Sequence, residues 1–433
     1  MHFPSQSFIA KQEIIMSSSY FKSVREKEDA IKILGLELPT YRQAYSDRTA
    51  WVMSVLSELV YIKFNPLFGA VEESVPNDKK SEYIKQYFVE RITSMIDEKH
   101  ASLVSTLLEK VAYDHTLNKQ QLDDQLTEFE FKVVKTFDRG GSQAILVEHK
   151  DYLVLAFRGT EPDSLRDIKA DASATIRKCE TQGMIHSGFY FAYMEIRKDI
   201  EETLQSKTFS KKPLYITGHS LGGALATVAT KYTYHQGGLA ACYTFGSPRV
   251  GNDDWINNIK TPIHRLVNAA DCVTMLPPGD ATISVMTFIA KLIPGPGHQI
   301  ATWLKTKFGG YIHAGNMRYL TNCQPGAYDD VKVLYTVSFF YRIKALVYKS
   351  LPMKKLLSDH SISVYSKKLM IIAFKRNRNK MSVDKASDAK VAAVSPKSPK
   401  PKAVTSKPDA VATLKKPAAK RATKKAVTKP TPK

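Results

Sequence analysis

The stretch LYITGHSLGGALATVATKY, residues 214–232, joins a β-like run directly to an Ala-rich helical pattern. The junction holds a G-x-S-x-G motif made of Gly218, Ser220 and Gly222. In a nucleophile elbow the serine occupies a strained strand-to-helix turn, and small residues two positions before and after it let strand and helix approach closely. The alternative is a glycine-rich turn with a surface serine. The strand and helix patterns on either side favour the elbow.

The composition of the chain limits the number of its domains and the kind of protein it can be. The chain has 433 residues, 43% of them hydrophobic, which is enough for one large or two modest domains. Four widely spaced cysteines without a C-x-x-C pair predict neither a disulfide framework nor a zinc site. The N-terminal sequence lacks the pattern of a secretory signal, and no apolar run reaches 18 residues. We therefore expect a cytoplasmic protein, at most peripheral to a membrane or to lipid bodies.

Hydrophobic periodicity divides the chain into three parts. Residues 1–125 show helical spacing, for example at 50–64 and 85–96, and are predicted to pack as a mostly helical region on the next domain. Within residues 126–375, helical runs such as 188–204 alternate with strand-like runs at 131–137, 143–149, 152–159, 214–217, 242–248 and 263–271. This alternation predicts an α/β fold, with a mostly parallel central sheet flanked by helices.

The third part, residues 380–433, consists mainly of Lys, Ala, Pro, Ser, Thr and Val, and is predicted to be a disordered tail. The net charge of the chain is +21. Residues 382–433 hold 14 Lys and Arg against 3 Asp, so +11 of that charge lies in the last eighth of the sequence. The tail is either a solvated linker or an electrostatic attachment to an anionic polymer, nucleic acid or anionic lipid.

An apolar insertion, residues 279–310, contains lysines and a Pro-Gly-Pro-Gly break. It is either a helical hairpin packed on the core or a cap that faces a membrane or lipid surface. The run 337–357 mixes Phe, Tyr, Leu and Lys at roughly helical spacing, and the same two interpretations apply to it.

A serine nucleophile needs a base, and the base needs an orienting carboxylate. In α/β-hydrolases the chain order is Ser, then Asp or Glu, then His. Asp271 closes the strand-like run IHRLVNAAD, at the edge of the sheet where ligands bind, although a surface turn aspartate is the alternative. Beyond it lie only His298, His313 and His360. A polar loop position near the end of the folded part favours His360, with His313 as the second candidate.

An oxyanion hole requires backbone N–H groups aimed at the developing negative charge. One comes from the residue after the nucleophile, which is Leu221. The loop FRGTEP, residues 157–162, follows an earlier strand and would supply the second N–H from Thr160. An ordinary β-turn is the alternative for this loop.

Seven blocks, LVLAFRGTEP, MIHSGFYFAY, YITGHSLGGALATV, YTFGSPRVGN, LVNAADCVTMLPP, GYIHAGNMRYL and SDHSISVY, occur in the order that is typical of class 3, or fungal-type, lipases. The chain resembles this family over about residues 40–370, and YSDRTAWVMSVLSELVYIKF is similar to the helix that precedes the sheet in bacterial, intracellular members. The resemblance implies an α/β-hydrolase fold, carboxyl-ester hydrolysis and no metal or organic cofactor. It places the catalytic triad on Ser220, Asp271 and His360, and the oxyanion donors on Thr160 and Leu221.

The resemblance also places the lid of the family at about residues 161–185, which are more polar here than a lid is expected to be. His313 falls in a family block that does not supply the base. We therefore expect a serine hydrolase of lipid esters, similar to triacylglycerol lipases. A phospholipase A, or an esterase for another lipid or a polyester, is the alternative substrate assignment. A non-catalytic binding protein tethered by its tail, or a nucleic-acid-binding protein, is the alternative of another class.

Overall fold

The computed structural model describes residues 19–36, 43–62, 115–139, 141–159, 176–338, 341–342 and 358–376. Its strands are β1 Lys132–Arg139, β2 Ser142–Glu148, β3 Leu153–Phe157, β4 Ile176–Lys178, β5 Met184–His186, β6 Leu214–His219, β7 Leu239–Phe245, β8 Ile263–Asn268, β9 Asn316–Leu320 and β10 Val333–Leu334. Its helices are α1 Val24–Leu34, α2 Asp47–Leu59, α3 His115–Thr127, α4 Ser187–Leu204, α5 Leu221–Tyr232, α6 Asp253–Asn257, α7 Asp280–Lys291, α8 Gly297–Phe308 and α9, residues 362–376.

The main sheet has eight strands in the order β1-β2-β3-β6-β7-β8-β9-β10, while β4 and β5 form a separate hairpin. The four pairs from β3 to β9 are parallel, and the pairs at the two edges are antiparallel. Parallel neighbours need crossover connections, and α5 supplies the one between β6 and β7. The prediction of an α/β-hydrolase fold with a mostly parallel sheet is confirmed.

Each face of the sheet is covered by helices. On one face, α2, α3 and α9 pack through residues such as Trp51, Leu126 and Leu369. On the other face, α4 and α5 pack through residues such as Ile196 and Leu225. Every residue of β6 is buried because the strand lies in the middle of the sheet and is covered on both faces. This central strand holds the junction to α5 rigidly.

Most elements lie where periodicity predicts them. The run 50–64 overlaps α2, and the six predicted strands overlap β1, β2, β3, β6, β7 and β8. Two details were wrong. Asp271 does not close its strand, because β8 ends at Asn268. His360 does not lie in a loop, because residues 358–360 are helical and α9 follows directly. The runs 85–96 and 343–357 and the tail 380–433 lie outside the described residues.

The apolar insertion forms a helical hairpin made of α7 and α8. The two helices pack chiefly against each other. Ala290, Ala301 and Leu304 make a small buried cluster between them, separate from the two large clusters on the sheet. The segment therefore has the secondary structure of the first interpretation, a helical hairpin. Its two helices, however, pack mainly on each other and not on the core of the sheet. No helix in the described part of the chain is both long and apolar enough to cross a membrane.

Arg265 is a buried charge in the middle of β8, with only 7% of its surface exposed. Its cross-strand neighbours are Thr244 and Met317, neither of which is acidic. Its Nε and Nη1 atoms are buried, and neither has a hydrogen-bond partner in the described part of the chain. Burial, followed by the positive charges of Arg342 and Arg249, lowers the pKa of this guanidinium. The position therefore carries an uncompensated cost of charge burial.

Replacing Arg265 with methionine is expected to raise the free energy of unfolding by about 1–3 kcal/mol, because an apolar side chain of similar length removes the buried charge. Urea unfolding at pH 7 measures the change. Arg318→Met on the neighbouring strand is the control. Arg318 stacks over the rings of Tyr45 and Tyr335 and donates to the carbonyl of Met317, so its loss should not stabilise the protein. A destabilised Arg265→Met protein would contradict the prediction.

Candidate active site

The turn between β6 and α5 has the geometry of a nucleophile elbow. Ser220 has φ 57° and ψ −128°, a backbone conformation that residues other than glycine rarely adopt. A Cβ on Gly218 would lie 2.2 Å from the carbonyl oxygen of Gly222, and one on Gly222 would lie 2.3 Å from that of Phe157. Both glycines are therefore required by close backbone contacts, as the motif predicts.

The structure brings Ser220, Asp271 and His360 together. His360 Nε2 lies 2.8 Å from Ser220 Oγ, and His360 Nδ1 lies 3.0 Å from each carboxylate oxygen of Asp271. Because carboxylate oxygens accept hydrogen bonds, Nδ1 carries the proton and Nε2 is left to accept from the serine hydroxyl. All three residues are at most 1% exposed, so these hydrogen bonds lie in an environment largely shielded from water.

Asp271 lies in the turn after β8, three residues beyond the end of the strand. One of its oxygens accepts from the backbone N–H of Val273 at 3.0 Å, and the other accepts from the Tyr365 hydroxyl at 2.7 Å. The same hydroxyl accepts from the N–H of Asn268 at 2.8 Å, which ties α9 to the end of β8. Burial, followed by the charge of Asp271, raises the pKa of Tyr365, so the hydroxyl keeps its proton and donates it to the carboxylate. These contacts fix the orientation of the carboxylate.

His219, the last residue of β6, packs against His360. The His219 ring lies 4.5 Å from the His360 ring, and its Nε2 is 2.6 Å from the carbonyl oxygen of His360. Its Nδ1 is 3.0 Å from the Tyr61 hydroxyl, at the end of the segment that contains α2. Burial, followed by the nearby His360, lowers the pKa of His219 well below its usual value, so this ring is neutral. The helical region before the sheet thus supports His360 indirectly.

Gly246, directly after β7, is a site residue that sequence reasoning missed. Its φ is +59°, and a Cβ at this position would lie 2.7 Å from Asp271 Oδ2 and 3.0 Å from His360 Nδ1. Only glycine fits, because any side chain would push apart Asp271 and His360. The glycine at the end of a strand in the block YTFGSPRVGN was the available signal. Tyr365 and His219 were also missed, and their roles depend on contacts across the fold.

The other candidate histidines lie elsewhere. His313 Nε2 donates to the carbonyl of Thr274 at 2.7 Å, and the side chain holds the turn after Asp271 rather than facing Ser220. His298 is exposed on α8. The N–H of Leu221 lies at the first position of α5, where helix N–H groups have no acceptor within the helix. Thr160 lies outside the described residues.

Several buried histidines are kept neutral by the fold. Burial, followed by the positive charges of Arg265, Arg249 and Arg342, lowers the pKa of His313 well below its usual value. Burial likewise lowers the pKa of His264 to about 4. In the unfolded chain each of these histidines takes up a proton near pH 6.5. Their stabilising contribution is therefore present above pH 6.5 and is lost as the pH falls toward the lower pKa of the folded state.

The free energy of unfolding is accordingly expected to fall by up to about 4 kcal/mol per pH unit between about pH 6 and pH 4.5, about 1.4 kcal/mol for each of His219, His264 and His313. Urea unfolding at a series of pH values measures the slope. His264→Gln should reduce it by about one third, and His298→Gln on the surface of α8 should leave it unchanged. An unaltered slope in His264→Gln would contradict this assignment.

Among the described residues, no group of three or more His, Cys, Asp or Glu side chains is arranged to hold a metal ion.

Comparison with known proteins shows where the chain is similar to characterised families. The family model described as lipase (class 3) matches residues 154–281. A secreted mono- and diacylglycerol lipase of Fusarium solani is 39% identical over 100 residues, which cover 22% of this chain and 30% of that one. The chloroplastic phospholipase A(1) DAD1 of Arabidopsis thaliana is 30% identical over 149 residues, which cover 29% of this chain and 33% of that one.

A lipase of Rhizomucor miehei is 36% identical over 104 residues, which cover 22% of this chain and 29% of that one. Its solved propeptide complex aligns with a TM-score of 0.38 at 24% identity, over 50% of this chain and 63% of that one. This chain thus spans about a third of the length of the curated relatives named here. That the chain is of the bacterial, intracellular type within this family, and that it is cytoplasmic, stay predictions.

The matched segment begins in β3 and ends at the start of α7, and it contains the elbow serine and Asp271. It covers the blocks in which the sequence resemblance is densest. Residues 154–281 of this chain are therefore similar to the class 3 lipase family.

Proposed function

We propose that this protein hydrolyses carboxyl esters of lipids through an acyl-enzyme formed on Ser220. The observation that carries the proposal is the chain of hydrogen bonds from Ser220 Oγ through the two ring nitrogens of His360 to Asp271. Such a chain makes a serine hydroxyl nucleophilic, because the imidazole can accept its proton and the carboxylate stabilises the resulting imidazolium. A strained elbow that presents the serine adds independent support.

In the proposed reaction, Ser220 Oγ attacks the ester carbonyl carbon while His360 Nε2 takes the hydroxyl proton. The tetrahedral intermediate collapses when His360 returns this proton to the leaving alcohol, and the acyl group stays on the serine. Water then attacks the acyl-enzyme while His360 takes its proton, and the second tetrahedral intermediate collapses to the free carboxylic acid as His360 returns that proton to Ser220 Oγ. Asp271 keeps the imidazole in the required tautomer throughout, and its own position is fixed by Tyr365 and the N–H of Val273.

We propose that the oxyanion of each tetrahedral intermediate is stabilised by the backbone N–H groups of Leu221 and Thr160. The N–H of Leu221 lies at the N-terminus of α5, where the positive end of the helix dipole favours negative charge. Gly159 packs closely on the elbow, since a Cβ there would lie 2.7 Å from the carbonyl oxygen of His219. This contact supports the assignment of Thr160, the residue that follows, as the second donor.

Lipid esters are the proposed substrate class. The relatives in Fusarium solani and Arabidopsis thaliana are named for acylglycerols and for phospholipids respectively, and the same triad chemistry serves both. We propose acylglycerols, in the manner of triacylglycerol lipases, with phospholipase A activity as the alternative. A binding protein without turnover has no need for a buried serine, imidazole and carboxylate in hydrogen-bonding register, so that alternative has less support.

A long-chain alkyl fluorophosphonate tests the proposal, because it is attacked by an activated serine and leaves a stable adduct. One adduct per chain is expected, on the peptide that contains Ser220, together with loss of p-nitrophenyl ester hydrolysis. His360→Ala should prevent labelling, whereas His313→Gln, which can still donate to the Thr274 carbonyl, should label normally. Labelling at another serine, or undiminished labelling of His360→Ala, would refute the mechanism.

A further inference from the structure

The hairpin of α7 and α8 presents an unusually apolar surface. Among the described residues, seventeen large hydrophobic side chains are exposed, and eight of them lie on this hairpin. Six are on α7 and the turn after it: Val285, Met286, Phe288, Ile289, Leu292 and Ile293. Phe288 is 66% exposed and Leu292 is 68% exposed. Contiguous apolar surface of this kind is typical of sites that bind a protein or a membrane.

The apolar face is not needed to hold the hairpin together. Ile283, Thr287 and Ala290 recur on the buried side of α7, and Ala301 and Leu304 of α8 pack with Ala290. The exposed side chains of α7 therefore project from a hairpin whose inner contacts are already made. On α8, Trp303 adds an aromatic side chain that is 54% exposed.

The charged residues of the hairpin indicate what kind of partner its apolar surface binds. Between residues 281 and 308 the sequence contains three lysines and no aspartate or glutamate. Lys291 and Lys305 are exposed beside the apolar side chains. Lysine at the border of an apolar face, together with tryptophan and phenylalanine, is the composition of helices that lie in the headgroup region of a bilayer. Each helix has 12 residues, about 18 Å, which is too short to cross the roughly 30 Å hydrocarbon core.

The hairpin is joined closely to the candidate active site. α7 begins at Asp280, and Asp271 lies shortly before it in the sequence. Arg249 Nη1 holds the connecting segment through the carbonyl oxygens of Met275 and Pro277, at 2.5 Å and 2.6 Å. A surface that binds α7 would therefore be held next to the turn that carries the acid.

We infer that α7 and α8 form a docking element that inserts its apolar face into the surface of an anionic phospholipid bilayer. Phe288, Leu292 and Ile293 enter the region below the headgroups, and Lys291 and Lys305 contact their phosphates. The binding step does not depend on ester hydrolysis, and it can be measured with Ser220→Ala protein so that no lipid is consumed.

Tryptophan fluorescence gives a readout specific to the hairpin. The chain has three tryptophans, of which Trp51 and Trp255 are fully buried and Trp303 is exposed. Full-length Ser220→Ala protein is titrated with vesicles of phosphatidylcholine with and without phosphatidylglycerol, at 0.15 M NaCl, where the lysines of the hairpin still act, and at 0.5 M NaCl, where the basic tail is screened. A blue shift and quenching by brominated lipid are expected, and Trp303→Phe should remove both signals while vesicles still co-sediment with the protein.

The double variant Phe288→Ser, Leu292→Ser should bind these vesicles about a hundredfold more weakly, since burial of each side chain is worth about tenfold or more in affinity. Phe191→Ser, Leu117→Ser is the matched control, because these residues are 55% and 62% exposed on other helices. Hydrolysis of soluble p-nitrophenyl acetate by the same variants with Ser220 intact should not change, which separates docking from catalysis.

Three results would overturn the inference. They are binding without a change at Trp303, equal binding by the hairpin variant and the matched control, and no binding to anionic vesicles at all. A dimer that dissociates in the hairpin variant, without vesicle binding, would assign this face to a second copy of the chain instead.

Discussion

Replacing Ser220 with alanine is expected to lower kcat/KM for a p-nitrophenyl ester by about 10⁴- to 10⁶-fold, to the level supported by substrate binding and the oxyanion hole alone. Alanine removes the only atom that can form the acyl-enzyme, Oγ, which lies 2.8 Å from His360 Nε2. The remaining side chains cannot substitute for it, because imidazole and carboxylate are positioned to move a proton from that oxygen. Short and long acyl chains should lose activity by the same factor.

The fold is expected to survive this change. The backbone N–H of Ser220 donates to the carbonyl of Phe245, and this contact does not involve the side chain. Circular dichroism and the melting temperature therefore serve as controls for folding. Ser54→Ala is the matched variant, since Ser54 is another fully buried serine, whose hydroxyl donates to the carbonyl of Trp51 within α2. Full activity in Ser220→Ala with an intact fold would refute the acyl-enzyme mechanism.

Replacing Asp271 with asparagine is expected to lower kcat/KM by about 10³- to 10⁴-fold with little change in KM. The carboxylate now accepts from His360 Nδ1 through both oxygens at 3.0 Å. An amide at this position presents N–H groups to the ring, so the imidazole is driven into the tautomer that has its proton on Nε2. That tautomer cannot accept the proton of Ser220, and the nucleophile is no longer activated.

Asp359→Asn is the control for the acid. Asp359 is also buried, and its carboxylate accepts from the N–H of Ala270, in the same turn as Asp271. An asparagine oxygen can still accept this hydrogen bond, so activity should change by no more than a few-fold. Steady-state kinetics on both variants gives the comparison. A large loss in Asp359→Asn together with a small loss in Asp271→Asn would reassign the acid.

Local sequence was sufficient for the elbow. The order of a buried β-run, GHSLGG and an Ala-rich helix predicts β6, the turn and α5, and the structure places all three there. The reason is that a strained serine turn depends on near neighbours: Gly218 and Gly222 are needed by contacts made within a few residues of them or with the adjacent strand β3. The alternation of strands and helices predicted the parallel sheet for the same local reason.

Chain order selected the partners of the serine but not their positions. Asp271 was predicted at a strand end and lies in the turn beyond it, and His360 was predicted in a loop and lies in a helical segment. Periodicity could not locate these boundaries, because both are set by packing between α9 and β8, through Tyr365 and its bonds to Asn268 and Asp271. Those residues are about 100 positions apart in the sequence.

The sequence alone determined the α/β class, the elbow and the residue types available for chemistry. Each of these depends on local periodicity, on the placement of glycines or on chain order. Only the tertiary structure decided which histidine meets Ser220, why Gly246 admits no side chain, and that the apolar side chains of the α7–α8 hairpin are exposed in the described part of the chain. These properties depend on distances between segments remote in the chain. Such distances are fixed only when the helices pack on both faces of the sheet and bring the ends of its strands to one edge.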